Sequence, residues 1–253
     1  MKVAPKKEFG QHFLVDENIL GVIERLADLG PQDIVLEVGP GLGVLTRFVS
    51  ERVAHVHAVE LDRSLEPHLR DLPRVDLHWG DALRLDLAAL EPPPHKLVAN
   101  LPYNIATPLV VESLGALPAI ETWCVMVQRE VADRLFAAPR SKAYGAVSVL
   151  VQLTATRTGF HPVSREVFRP RPNVESALVA FRRVAPGPAR SVRRVVDGAF
   201  AHRRKTLPNS LALAGVAPRA GAANALVAIG RDPSARAETL SPAEFVALAE
   251  ALG

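Results

Sequence analysis

Four features of this chain combine residue types that can hold a ligand and steer a reaction: Gly39-Pro40-Gly41-Leu42-Gly43, Glu60, Asp81, and Asn100-Leu101-Pro102-Tyr103. The last is the most specific. An apolar approach, Lys96 to Ala99, ends in an amide, then a proline that holds its predecessor extended, then an aromatic ring. Such a turn can set the Asn100 side-chain oxygen and the Leu101 carbonyl side by side as acceptors, a pair suited to an exocyclic amine with two hydrogens. Tyr103 adds a flat face on which a base can stack. Taken alone, the tetrapeptide also fits an ordinary strand-to-helix loop, and the glycine run alone is a weak nucleotide signal.

Their placement is what strengthens them. Ile34 to Val38 reads as a buried strand, followed by the glycine turn and a helix from Val44 to Arg52. The glycines let the backbone approach a ligand closely at that helix start. A second strand, Val56 to Val59, ends in Glu60, 17 residues past Gly43, where a carboxylate can accept both hydroxyls of a ribose. A helix from Ser64 to Leu72 and a strand from Val75 to Trp79 lead to Asp81, and a fourth strand, Lys96 to Ala99, ends at Asn100. All four features therefore fall at the C-terminal ends of successive strands, the ligand edge of an open parallel sheet.

A helix capped by Asp16 precedes this series, and Gly30-Pro31 ends it. A helix after Asn104, a strand from Thr122 to Val127 and a helix from Gln128 to Ala137 follow. Val147 to Thr158 and Ser176 to Arg182 read as two strands that pair antiparallel and finish the sheet. The proline-stiffened loop between them, Val167 to Val174, offers Phe168 as a second stacking face opposite Tyr103. Pro186-Gly187-Pro188 reads as a linker to helical stretches that run to Leu252.

Nearly half of the 253 residues are hydrophobic, enough for one large domain and a smaller one. No apolar run approaches the roughly 20 residues of a membrane span, and Met1 to Lys7 has no apolar segment behind it to make a signal peptide, so a cytoplasmic protein is expected. The only cysteine, Cys124, lies in an apolar run and reads as a core thiol; neither redox chemistry nor a structural metal is expected. The net charge of +3 conceals an asymmetry. Arg157 to Lys205 holds 12 basic residues against three acids, while the rest of the chain is acidic on balance. A local basic face points to a polyanion, most simply nucleic acid.

Phe9-Gly10-Gln11-His12-Phe13-Leu14, Glu37 to Gly43, Asn100 to Leu109 and Arg203-Arg204-Lys205-Thr206-Leu207 resemble the corresponding segments of KsgA-type ribosomal RNA adenine N6,N6-dimethyltransferases. The resemblance extends over essentially the whole chain. It implies an α/β fold of the Rossmann-like class I S-adenosylmethionine-dependent type, with a mostly parallel seven-stranded sheet. It further implies a methyltransferase domain over 1–184 and a small all-helical RNA-binding domain over 185–253.

Carried over residue by residue, the resemblance assigns cofactor contacts to His12, Leu14 and Gly39, the ribose to Glu60, the adenine amine to Asp81 and the sulfonium side to Asn100. Asn100, Leu101, Tyr103 and Phe168 become the catalytic group, and Arg203, Arg204 and Lys205 the RNA contacts. The implied substrate is a pair of adjacent adenines in the 3′ hairpin of 16S ribosomal RNA, met by a monomer within an assembling small subunit. Two departures stand out: His12 replaces the family's usual Asn, and Pro208 follows the basic segment, where it fits the first turn of a helix. A 23S ribosomal RNA methyltransferase of the macrolide-resistance type and a non-catalytic assembly factor are the alternative readings.

Overall fold

The computed structural model describes residues 11–253. Phe9 and Gly10 of the N-terminal motif, and the Met1 to Lys7 start, lie outside them. Contacts within the chain divide it into two compact units, one of residues 1–132 and 156–183, the other of 133–155 and 184–253. The second unit thus begins at Val184 but also takes 133–155, a segment expected within the first.

The first unit is built on strands β2 (Ile34–Val38), β3 (His55–Glu60), β4 (Val75–Trp79), β5 (Lys96–Asn100), β6 (Thr122–Gln128), β7 (Ala155–Val163) and β9 (Ser176–Arg183). They form one seven-stranded sheet of order β4-β3-β2-β5-β6-β9-β7. β2 through β6 are parallel to their partners, and β9 runs antiparallel to β6, with Val125 opposite Val179. A separate two-stranded ladder joins β1 (Phe13–Leu14) to β8 (Phe168–Arg169). The mostly parallel order matches the expectation, because apolar strands such as Ile34–Val38 and Thr122–Gln128 need cover on both faces.

The helices of this unit are α1 (Asn18–Ala27), α2 (Val44–Ser50), α3 (Glu66–Leu69), α4 (Ala106–Ala116) and the start of α5 (Arg129–Leu135). The Asp16 carboxylate accepts the Asn18 amide at 2.8 Å, satisfying one free donor at the α1 start. Ile19, Leu20 and Ile23 of that helix pack with Val35, Val56, Ala58 and Val98 of the sheet. Cys124 is in the same core, and burial pushes its thiol up to about 12, so it is an apolar filler and not a nucleophile.

One segment differs from expectation. Residues Val147 to Thr158 are not a strand: Ala146–Thr154 is helix α6, and the chain becomes extended only at Ala155. An apolar run rich in Val has no decisive period and fits either element. Ser148 decides locally, because its hydroxyl accepts the Gly145 amide at 3.1 Å and donates to the Arg134 carbonyl at 2.6 Å.

The second unit is helical: α6, α7 (Arg190–Ala201), α8 (Leu207–Leu213), α9 (Arg219–Ala228) and α10 (Pro242–Leu252). Pro208 sits in the first turn of α8, where a missing N–H removes nothing. α10 opens with a reciprocal cap between Ser241 and Glu244. Phe200 lies edge-on to Tyr144, whose hydroxyl donates to the Leu240 carbonyl at 2.8 Å. Among the described residues no helix is long and apolar enough to cross a membrane.

The N-terminal ends of β2 and β5 are tied by one carboxylate. Asp33 accepts from Lys96 Nζ at 2.7 Å, the Gly30 amide at 2.7 Å and His95 Nε2 at 2.9 Å. Burial opposes ionisation of Asp33, but the hydrogen bonds from Lys96, Gly30 and His95 outweigh it and hold the group below its ordinary 3.8. Asp33→Asn should therefore lose about 2 kcal/mol or more in urea unfolding at pH 7, since it strands a largely buried ammonium. The deficit should shrink as pH falls below about 3.8 towards the folded-state value, where the native carboxylate is itself neutralised.

Candidate active site

The C-terminal edge of the sheet opens into a cleft of about 220 Å³ lined by residues at the ends of β2, β3, β4 and β5. The turn after β2 forms its floor. Gly39, Gly41 and Gly43 all have positive φ, and a Cβ on Gly39 would lie 2.9 Å from the ring carbons of Pro102. The turn is therefore locked against the Asn-Leu-Pro-Tyr segment from below. The Phe13 ring covers Gly41 and packs on Leu65, Leu69 and Leu72. No Lys or Arg lies within 39–43, so the turn suits a ligand without a pyrophosphate.

Glu60 is 7% exposed and held by three backbone amides: Leu61 and Asp62 on Oε1, both at 2.9 Å, and Gly41 on Oε2 at 3.2 Å. Burial raises its pKa above the ordinary value, against the pull of those amides. Oε1 is thereby filled, and Oε2 retains a lone pair for a hydroxyl of a ligand. Asp81 is half-buried, and its Oδ1 accepts the Leu83 amide at 3.0 Å, which fixes the carboxylate at the cleft margin.

Asn100 ends β5. Its Nδ2 donates to the His12 carbonyl at 3.1 Å, which assigns the amide orientation and leaves Oδ1 to accept. The Leu101 amide donates to the Met126 carbonyl at 3.1 Å, extending the β5–β6 ladder through the turn. Leu101 is buried, so its side chain is an anchor and only its backbone serves the site. Tyr103 is half-buried, with its hydroxyl 2.6 Å from Ser176 Oγ. That bond holds the ring upright at the cleft mouth.

His12 lines the cleft and also braces two of its neighbours. Its Nδ1 donates to the Pro170 carbonyl at 2.8 Å, and its ring leans on Tyr103 with centroids 5.3 Å apart. Through its carbonyl it orients Asn100, and through its ring it steadies Tyr103. Leu14 lines the cleft from β1. Phe168 is a correction. It is fully buried, pairs with Leu14 across the β1–β8 ladder and packs beside Ile19 and Ile23, so it presents no face to a base. The strand pairing turns its ring inward.

Arg203, Arg204 and Lys205 belong to the second unit, in the turn between α7 and α8, and all three are exposed. Arg203 also donates to the Tyr144 carbonyl at 2.7 Å. Two residues of the site carried no signal beyond their motifs. Ser176 is legible only once β9 sets it against Tyr103. Glu37, four residues before Gly41, looks like a strand residue but lines the cleft floor at 2% exposure.

Burial pushes Glu37 up to about 8 and the charge of Glu60 adds to it, while the Thr46 hydroxyl lies close enough to oppose this in part without a hydrogen bond of good geometry. Glu37 Oε2 and Thr46 Oγ1 reach no hydrogen-bond partner among the described residues. Between pH 4.5 and 8 the unfolded chain has lost this proton and the native chain keeps it, so Glu37 weakens stability as pH rises, by up to about 1.4 kcal/mol per unit. Glu37→Gln should flatten that part of the urea-unfolding profile and stabilise the unliganded protein at pH 8 relative to the parent.

Residues 3–252 match the family model for ribosomal RNA adenine dimethylase. The ribosomal RNA small subunit methyltransferase A of Rubrobacter xylanophilus is 49% identical over 96% of this chain and 94% of its own length. The protein of the same name from Syntrophotalea carbinolica is 45% identical over 99% and 97%. Among solved structures, a dimethyladenosine transferase from Plasmodium falciparum aligns with a TM-score of 0.76 at 22% identity over 94% of this chain and 96% of its own. The 23S rRNA methyltransferase ErmE aligns at 0.64 and 29% over 95% and 99%. With a glycine turn, strand-end acids and an oriented Asn100 on one sheet edge, and with a family model matching nearly every residue, the chain belongs to the ribosomal RNA adenine dimethylases.

Proposed function

We propose that this protein transfers methyl groups from S-adenosylmethionine to N6 of two adjacent adenines in the 3′-terminal hairpin of 16S ribosomal RNA, dimethylating each, and that it acts as a monomer on the assembling small subunit. The observation that carries this reading is the orientation of Asn100. With Nδ2 committed to the His12 carbonyl, Oδ1 is left as an acceptor at the end of β5, in a cleft that Leu101 and Tyr103 also line. The names of the relatives favour the small-subunit substrate over the 23S one.

The cleft fits the cofactor on its donor set: a close-approach glycine turn without basic residues, a buried carboxylate preset by three amides, and a second carboxylate at the margin. Glu60 would hold the ribose hydroxyls and Asp81 the adenine amine, while the backbone of the glycine turn, whose Gly39, Gly41 and Gly43 amides already donate to Val59, Glu60 and Pro40, would pack closely against the remainder. S-adenosylmethionine supplies, when bound, a methyl group activated by a positively charged sulfur.

The protein's own contribution is positional. The adenine amine is a poor nucleophile because its lone pair is delocalised into the ring. Accepting its hydrogens at Asn100 Oδ1 and the Leu101 carbonyl favours a pyramidal nitrogen whose lone pair is withdrawn from the ring and points towards the methyl donor, and the proton that the nitrogen sheds after each transfer passes to water. Preorganised acceptors and alignment supply this without a strong general base. Tyr103 stacks on the extruded base, a contact worth about 1–3 kcal/mol. Phe168 takes no part in that stacking. The exposed Arg203, Arg204 and Lys205 would track phosphates.

Transfer of labelled methyl groups to under-methylated small subunits tests the reading. Incorporation as dimethyladenine is expected, with Asn100→Ala losing roughly 100-fold or more in turnover while cofactor affinity by calorimetry changes severalfold at most. Incorporation only into 23S ribosomal RNA would refute the substrate, and cofactor binding without transfer to either RNA would leave an assembly factor. Arg204→Ala with Lys205→Ala should weaken RNA binding and reduce the slope of log affinity against log salt by about one per lost phosphate contact.

A further inference from the structure

Strands β3 and β4 carry a second cluster of chemistry-bearing side chains, near their N-terminal ends and away from the cleft. His55 and His57 alternate on β3 and so share one face, while Val56 and Ala58 turn the other way into the core. Asp76 stands opposite His57 in the parallel register, and His78 lies two residues on along the same face of β4. One ligating atom from each of His55, His57 and Asp76 lies within 4.8 Å of the others.

In this cluster His57 Nδ1 is paired only with another imidazole, that of His78, and His55 Nε2 has no hydrogen-bond partner among the described residues. His57 is fully buried, and its Nε2 is 2.8 Å from the Pro92 carbonyl. A carbonyl only accepts, so Nε2 carries the proton and Nδ1 is the basic nitrogen, with His78 Nε2 3.1 Å away. A ring locked by one N–H on a backbone carbonyl, with the other nitrogen presented, is how proteins orient metal-binding imidazoles. His55 Nε2 is 3.1 Å from Asp76 Oδ2, yet it is shielded from solvent and makes no hydrogen bond with acceptable geometry.

We propose that His55, His57 and Asp76 form a binding site for a divalent transition-metal ion of the zinc class, with His78 at its margin as a fourth donor. Two imidazoles and a carboxylate suit a borderline ion and not a hard, oxygen-seeking one such as magnesium. Ligand atoms around a tetrahedral ion stand roughly 3.3 Å apart for bonds of about 2.0–2.1 Å. The 3.1 Å pairs are already near that spacing, and small rotations of the His55 and Asp76 side chains would draw the three ligating atoms around one ion. β4 is an edge strand whose one sheet neighbour is β3, and the two strands lead to Glu60 and Asp81. A bound ion would staple that edge together and stabilise the fold without entering the reaction.

The test is titration of the full chain, stripped with a chelator, with Zn²⁺ by calorimetry and with Co²⁺ by visible absorption. One saturating equivalent, the intense bands of tetrahedral Co²⁺ and a melting temperature raised by Zn²⁺ are expected. Asp76→Asn and His55→Gln should each weaken binding about tenfold or more with methyl transfer unchanged. Both positions are solvent-accessible enough for the variants to fold, which His57→Phe does not guarantee. Absence of saturable binding, or binding that survives both substitutions, would overturn the site and leave a hydrogen-bonded histidine network.

Discussion

A parallel sheet returns every strand to the same starting side, so the ends of all its strands face one edge. Everything specific to this molecule depends on that constraint. Gly39 to Gly43, Glu60, Asp81 and Asn100 are far apart in the chain, yet each follows or ends a parallel strand, and the order β4-β3-β2-β5 places them side by side. The core beneath is uninterrupted, with Val35, Val56 and Val98 meeting the apolar face of α1. The polar work is confined to the rim, where backbone groups leave the ladder and need other partners.

At that rim, shape is held by hydrogen bonds between segments distant in sequence. The His12 carbonyl orients the Asn100 amide, the Pro170 carbonyl orients the His12 ring, and Ser176 holds the Tyr103 hydroxyl. Each bond is modest alone. Together they convert flexible polar side chains into fixed ones, which matters more to a reaction governed by alignment than to stability. The buried acids do the converse. Glu37 and Glu60 are kept out of water at the floor of the cleft, and desolvation raises both. For Glu37 this burial is a cost to the unliganded fold at neutral pH.

Much of this was legible in the residues. The strand–glycine–helix unit at 34–50, the strands ending at Glu60 and Asn100, and the role of Pro208 in opening a helix all follow from local sequence rules, and the structure has them there. Periodicity failed over Val147 to Thr154, where an apolar run rich in Val has the composition of a strand and lies in a helix of the second unit, while Ala155 to Thr158 is extended as expected. It failed because such a run carries no period to read, and its state is set by what packs around it.

Phe168 marks the same boundary within the site. An aromatic residue in a proline-rich loop has the right type for stacking on a base, but pairing with Leu14 sends its ring into the core. Residue type by itself determined which groups this chain could offer to a ligand: amide and backbone acceptors, carboxylates, an aromatic face, a basic patch. Which residues reach the cleft, which of His12's atoms matters, and that Glu37 and Ser176 belong there were decided only by tertiary structure. Types and short-range spacing are local properties, whereas orientation and burial arise from contacts made across 88 residues in the case of Asn100 and His12, and 73 in that of Tyr103 and Ser176.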